Sequence, residues 1–226
     1  MASLQTFKIK VIIGIITGCG GLLLLAQVAR DPGKRKEPLL FEKWGGMPSV
    51  TIFRHYDGCL DKITKARYHR TLASLVPEAK APTPAEESAD ASACDQIYKA
   101  WSTYIRTNTR DIKTYSLLFD ENINYGYRRN VYGLRPIGIT ITALSSLGAF
   151  IWLYLRAKAT GQVPPELVGA EIATLLLLLL WMFYFTSDWV RLAATAYAER
   201  LAECCEKLGT HKPITAKKAP KPPKKA

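Results

Sequence analysis

The chain has 226 residues, of which 48% are hydrophobic, and 31 basic against 19 acidic residues give it a formal net charge of +12. This length would suit one or two soluble domains. However, the apolar residues are concentrated in three long runs, a distribution that argues against a soluble core and is typical of a membrane protein.

Each apolar run has about 20 residues, the helix length that crosses roughly 30 Å of hydrocarbon. The sequence therefore predicts an all-α membrane protein in which three transmembrane helices carry a small, mainly helical cytoplasmic domain between the first and the second. The predicted segments are transmembrane helices over 9–29, 137–155 and 168–187, the cytoplasmic domain over 30–136, a short external loop over 156–167, a cytoplasmic helix over 188–208 and a disordered basic tail over 209–226.

The first apolar run can be interpreted in more than one way. Lys8 and Lys10 before apolar residues resemble the start of a secretory signal, and the segment Ile16 to Cys19 resembles a lipoprotein processing box with Cys19 as the lipidated residue. Because residues 20–29 stay apolar after this cysteine, a retained helix accounts for the whole run, and we favour it.

Small residues line one face of each of the first two runs. They recur at helical spacing, and side chains of this size allow two helix backbones to approach closely in lipid. We predict helix packing at Gly14, Gly18, Gly21, Gly138, Thr142 and Ser146.

The basic residues predict how the chain is threaded, because flanking Lys and Arg resist translocation. They are abundant over 30–36, before the second run at Arg128, Arg129 and Arg135, and after the third run. The polar region and the C-terminus are therefore predicted to be cytoplasmic, with the N-terminus and the 156–167 loop outside.

Local signals divide the polar region into short elements. Residues 31–34 read as a turn and Val50 to Phe53 as a strand, whereas Asp61 is a predicted helix N-cap. The segment Thr83 to Glu86 fits a capping box with proline at the first helical position. A further helix over 91–107 carries an aromatic stripe, which we interpret as core.

The best candidate polar site precedes the second run, on a helix predicted over 117–130, behind which Pro136 opens the span. Asp120 and Glu121 are adjacent, and we expect them to neutralise Arg128 or Arg129 or to cap a helix. Two interpretations stay open for the cluster, a salt-bridge network at the membrane surface or a ligand or partner site. Its residues are Arg110, Asp111, Asp120, Glu121, Asn122, Arg128 and Arg129.

The sequence carries no catalytic signature, so we expect no enzyme, no cofactor and no metal. His55, Cys59 and His69 match no standard metal spacing. Cys59 and Cys94 could pair in an oxidising compartment, but the predicted cytoplasmic location favours free thiols. The lysine-rich tail is expected to contact anionic lipid headgroups, and nucleic acid is not favoured because no aromatic residue is interleaved.

Several short motifs resemble an uncharacterised family of bacterial inner-membrane proteins, over about 43–208. They are a GGMP motif, a TKARYH motif, a TRD motif and an ENINYGYRRN motif, at residues 45–48, 64–69, 109–111 and 121–130. The resemblance implies a bacterial inner membrane and a link to anti-phage gene clusters, but no activity.

From these features we expect a non-enzymatic subunit that self-associates or anchors another membrane or cytoplasmic protein. The alternative is a membrane-perturbing effector or gated channel.

Overall fold

The computed structural model describes residues 21–210, with side chains from Gln27 onward, and this part contains helices and no strand. Its contacts divide it into two compact units, a first unit of residues 21–45 with 122–194 and a second of 46–121 with 195–210. Most of the predicted first transmembrane helix lies outside the described residues, as do Gly14, Gly18 and the tail over 211–226. Gly21 is described as the first residue of a helix.

Helix α1 spans Gly21–Lys43 and belongs to the first unit. The predicted turn over 31–34 is wrong, because the helix continues through it with Pro32 and Pro38 inside. A proline removes one backbone donor and usually ends a helix, and here tertiary contacts at Gly33 override that signal. The helix ends where Gly45 adopts a positive φ of 78°, the conformation in which glycine commonly terminates helices.

Two later helices of the chain contain the second and third apolar runs. Helix α6 spans Ser116–Thr160, and helix α7 spans Pro165–Leu179 and continues as a π-helical turn over Leu180–Tyr184. Both are long and apolar enough to cross a membrane, and only 11% and 6% of their most apolar stretches are buried. Pro136 lies inside α6 and does not open a separate helix, which corrects the prediction.

The apolar stretches of α6 and α7 pack against each other in antiparallel order. Gly138 lies against the Trp181 ring, where an added Cβ would be 2.4 Å from the nearest ring atom. Further along, Ser146 donates a hydrogen bond to Glu171. These pairs place residues that come later in α6 beside residues that come earlier in α7.

The predicted third span over 168–187 is interrupted near its end. The π-helical turn ends at Phe185, and helix α8 begins two residues later and spans Ser187–Thr210. Thr186 caps this new helix, since its hydroxyl accepts a hydrogen bond from the Trp189 amide. The helix predicted over 188–208 is thus present, and it takes in two residues of the predicted tail.

The second unit contains four shorter helices, the first residues of α6 and the C-terminal part of α8. The capping predictions are confirmed: Asp61 accepts from the amides of Ile63 and Thr64, and Thr83 and Glu86 form the reciprocal capping box. The predicted strand at Val50 is wrong, because Pro48 occupies the first position of a helical turn there. The helices are α2 over Pro48–Thr51, α3 over Lys62–Leu75, α4 over Pro84–Ala89 and α5 over Ala91–Asn108.

The aromatic stripe of α5 forms the centre of this unit, as predicted. Tyr98, Trp101 and Ile105 are fully buried. The Trp101 ring meets that of Phe53 edge-on at 5.9 Å, a favoured aromatic geometry. Leu201 of α8 is buried in the same cluster. The second unit therefore has its own hydrophobic core.

Candidate functional site

Within the first unit, α1 and α6 cross at two glycines. A Cβ on Gly133 would lie 2.3 Å from the Gly33 nitrogen, and a Cβ on Gly33 would lie 2.7 Å from the Asn130 side-chain oxygen. Only glycine allows backbones to come this close. We call this contact and the charged side chains around it the basic crossing: Lys34, Lys36, Glu37, Arg129 and Arg135.

One carboxylate joins the two helices at the basic crossing. Glu37 of α1 accepts hydrogen bonds from the Tyr125 hydroxyl at 2.7 Å and from the Arg129 guanidinium at 3.2 Å. Its other oxygen accepts from Lys34 at 3.1 Å. The side chains of Arg129 and Glu37 are only 8% and 16% exposed, so this ion pair is more than a surface contact.

This environment shifts the pKa values of its members. Burial opposes ionisation of Glu37, but hydrogen bonds from Tyr125 and Lys34, together with the charges of Arg129 and Lys34, hold the pKa of this carboxyl below its usual value. Burial and the bond to Glu37 raise the pKa of the Tyr125 hydroxyl. The site therefore favours an ionised carboxylate and a neutral phenol.

Arg128, next along α6, has a different set of partners. Its guanidinium lies 5.0 Å from the Trp189 ring centroid and donates to the Trp189 carbonyl at 3.0 Å. It also donates to the Asn124 side chain at 3.2 Å. Arg128 thus combines a cation–π contact with hydrogen bonds to neutral oxygens.

Arg135 stabilises the interruption at the end of α7. Its Nε and Nη2 donate to the carbonyls of Trp181 at 3.0 Å and Met182 at 2.7 Å. Such carbonyls lose their usual amide donors where a helix ends, and an unpaired carbonyl in an apolar setting costs roughly several kcal/mol. Arg135 therefore supplies the donors that the broken helix lacks.

The predicted polar cluster is divided between the two units. Asn122, Arg128 and Arg129 belong to the first, whereas Arg110, Asp111, Asp120 and Glu121 belong to the second. Arg110, Asp120 and Asn122 are exposed. Asp111 is exposed as well and accepts from Thr114 in its own turn.

The partner of Arg129 is Glu37, in place of the expected Asp120 or Glu121. Glu37 was missed because it lies 92 positions away in the chain. The signal that could have found it is a single acidic residue directly after the basic run Lys34 to Lys36.

The predicted packing stripe on α6 lies between α6 and α7. Gly138 contacts Trp181, and Thr142 and Ser146 are 7% and 8% exposed. Glu171 is itself 9% exposed, and its Oε2 is buried without a hydrogen-bond partner among the described residues. The contact between Ser146 and Glu171 is therefore a polar pair inside two apolar helices.

The described residues contain no group of three or more His, Cys, Asp or Glu side chains arranged to hold a metal. The Nε2 atoms of His55 and His69 instead form hydrogen bonds with the carbonyls of Pro82 and Phe53, at 2.9 and 2.8 Å. Cys59 is an exposed free thiol and Cys94 a buried one.

No protein-family model, curated protein or solved structure matches the chain. What the site can do chemically follows from its geometry alone. It binds two helices through a buried ion pair, and it concentrates cations beside the start of an apolar stretch.

Proposed function

We propose that the chain is a non-enzymatic integral membrane subunit, held by its apolar helices and assembling with its own copies or with a partner protein. One observation supports the anchoring role above all. The apolar stretches of α6 and α7 expose large side chains, among them Leu144 at 65%, Phe150 at 64% and Phe183 at 69%. A buried soluble core helix would hide such residues, whereas lipid covers them at no cost.

The second unit supports a separate role outside the lipid. It has its own hydrophobic core and its own capped helices, so its folding does not require contact with lipid. We propose that it lies in the cytoplasm of a bacterial cell, attached to the inner membrane, and contacts the partner. Basic residues beside the apolar stretches favour this side.

Membrane fractionation tests the anchoring role. We expect the chain to stay with the membrane after carbonate and urea washes and to be released only by detergent. Release by carbonate alone would contradict an integral protein. Co-purification of a stoichiometric partner, or an oligomer in native mass spectrometry, would support the assembly role, and a monomer with no partner would remove it.

The stripe on the first apolar run is where self-association can be tested. The α6 stripe is occupied by α7 within the same chain, which leaves the predicted stripe over Gly14, Gly18 and Gly21 as the candidate for contact between copies. We expect Gly14→Leu with Gly18→Leu to reduce the oligomer. The control Gly20→Leu, off the stripe on the same run, should not.

The polar pair of Ser146 and Glu171 favours a second candidate function, a membrane-perturbing effector or gated channel, such as one acting in anti-phage defence. An ionisable side chain within an apolar helix is costly and often marks an ion pathway. If this function is right, induced expression admits a membrane-impermeant dye, and Glu171→Leu abolishes dye entry without reducing membrane insertion. Equal dye entry with the wild type and with Glu171→Leu would contradict it. So would the absence of dye entry with the wild type under every inducing condition.

A further inference from the structure

Two cations of the basic crossing are brought together without an acid between them. Lys36 of α1 places its Nζ 3.4 Å from the Tyr132 carbonyl and 5.2 Å from the centroid of the Tyr132 ring. Arg135 lies one helical turn after Tyr132 on α6. Burial lowers the pKa of Lys36, and the charge of Arg135 lowers it further.

The other cations of the basic crossing have a carboxylate partner. Arg129 and Lys34 both bind Glu37, at 3.2 and 3.1 Å. Within the part of the chain whose side chains are described, Lys36 and Arg135 have no carboxylate within 4.0 Å. Their protein partners are neutral carbonyls and a ring. A bound anion would offset the repulsion between two partly buried cations and the cost of their desolvation.

The position of the pair shows which kind of anion fits. Arg135 directly precedes Pro136 and the apolar stretch, where Ile137 and Ile141 are 51% and 59% exposed. A helix rises about 1.5 Å per residue, so the two cations lie at the level where the apolar stretch begins, which is the level of the headgroups of the surrounding lipid. A free phosphate would use the charges but would leave the apolar surface uncovered.

We propose that Lys36 and Arg135 form a binding site for the phosphodiester headgroup of an anionic phospholipid whose acyl chains lie beside the apolar stretch that begins at this level. The Lys36 ammonium and the guanidinium N–H groups not used by Trp181 and Met182 bind the phosphate oxygens. Basic sites beside membrane helices on the cytoplasmic side bind headgroups in this way. The site rests on the membrane location proposed above.

The test uses the full chain in nanodiscs that contain equal amounts of phosphatidylglycerol and phosphatidylcholine, with retained lipids counted by native mass spectrometry. We expect the wild type to retain phosphatidylglycerol preferentially. Lys36→Gln keeps a donor for the Tyr132 carbonyl but removes the charge, and it should lower this preference about five-fold, the ratio equivalent to about 1 kcal/mol per lysine.

Arg35→Gln is the matched control, because it removes the same charge from an exposed neighbour on the same helix. We expect it to keep the preference within about two-fold, since an exposed charge outside the site adds little. Arg135→Lys should retain part of the preference, since it keeps the charge but loses the planar fork.

An unchanged preference in Lys36→Gln would overturn the proposal, and so would an equal loss in Arg35→Gln. Displacement of the lipid by inorganic phosphate at millimolar concentration would also overturn it. The carbonate wash tests the membrane location independently, because a chain that is not an integral membrane protein is released by carbonate.

Discussion

Gly33 and Gly133 hold two helices at backbone contact, since a Cβ on Gly133 would lie 2.3 Å from the Gly33 nitrogen. We expect Gly133→Ala to push α1 away from α6 and to lower the free energy of unfolding by about 1–3 kcal/mol, the usual cost of overpacking. Thermal unfolding in detergent measures this loss.

Gly126→Ala is the matched control on the same helix, because an added Cβ there meets nothing within 4 Å. Alanine favours a helix over glycine by up to about 1 kcal/mol, so this variant should be neutral or slightly more stable than the wild type. Equal losses in both variants would show that the close approach at Gly133 does not stabilise the fold.

Glu37 predicts a specific response to acid. Its pKa is lowered in the folded chain despite burial, by Tyr125, Lys34 and Arg129. The unfolded carboxyl, with a pKa of about 4.3, therefore takes up a proton first as the pH falls. The stabilisation from Glu37 is present above that value and is lost as the pH falls through the lower folded pKa.

Glu37→Gln should lower stability at pH 7 by about 1.5–3 kcal/mol, the contribution of a hydrogen bond to a charged group, and should flatten the acid limb. Unfolding midpoints measured between about pH 7 and pH 3 check this. Glu42→Gln, an exposed change on the same helix, retains Glu37 and should keep the wild-type acid limb. A steep acid limb in Glu37→Gln would rule out this carboxyl as its source.

Two variants test the buried carboxylate of the second unit, one that removes the carboxylate and one that removes a single donor to it. Glu87 is 4% exposed and accepts from the His55 amide at 3.0 Å and from the Tyr98 hydroxyl at 2.5 Å. Glu87→Ala leaves both donors unpaired and should cost about 3 kcal/mol or more. Tyr98→Phe removes only one donor and should cost about 1–2 kcal/mol.

Chemical denaturation of the full chain, followed by the fluorescence of its tryptophans, measures both losses. A loss in Tyr98→Phe as large as that in Glu87→Ala would mean that the amide of His55 does not need the carboxylate.

His69 should titrate below an ordinary histidine. The residue is 5% exposed, and burial lowers its pKa more than the hydrogen bond to the Phe53 carbonyl raises it, while the nearby His55 lowers it further. Hydrogen–deuterium exchange at the imidazole C2 position, followed by mass spectrometry across pH, reports this pKa directly. A midpoint at or above about 6.5, the value of an unperturbed histidine, would contradict the buried ring.

Sequence patterns succeeded where the structure depends on near neighbours. The cap at Asp61 and the box from Thr83 to Glu86 need residues two or three positions apart, and the α5 stripe needs only helical spacing. The same patterns failed at residues 31–34, where proline and glycine signal a turn but the glycine serves a crossing with a distant helix.

The candidate site was predicted only in part, for the same reason. Arg128, Arg129 and Arg135 were recognised as a basic entry to an apolar stretch, which their spacing shows. Their partners Glu37, Trp189 and Trp181 lie on other helices, far along the chain, and no local pattern links them. Pairing of this kind is decided by packing between helices.

The threading of the chain is the central claim, and thiol accessibility tests it most directly. Cys59 is exposed in the second unit, whereas Cys94, Cys204 and Cys205 are buried, and Gln162→Cys places an exposed thiol in the loop between α6 and α7. A Cys19→Ser background removes the remaining thiol. In intact bacterial spheroplasts treated with a membrane-impermeant maleimide, we predict labelling at position 162 and labelling of Cys59 only after permeabilisation. Labelling of Cys59 in intact spheroplasts, with position 162 protected, would contradict the account.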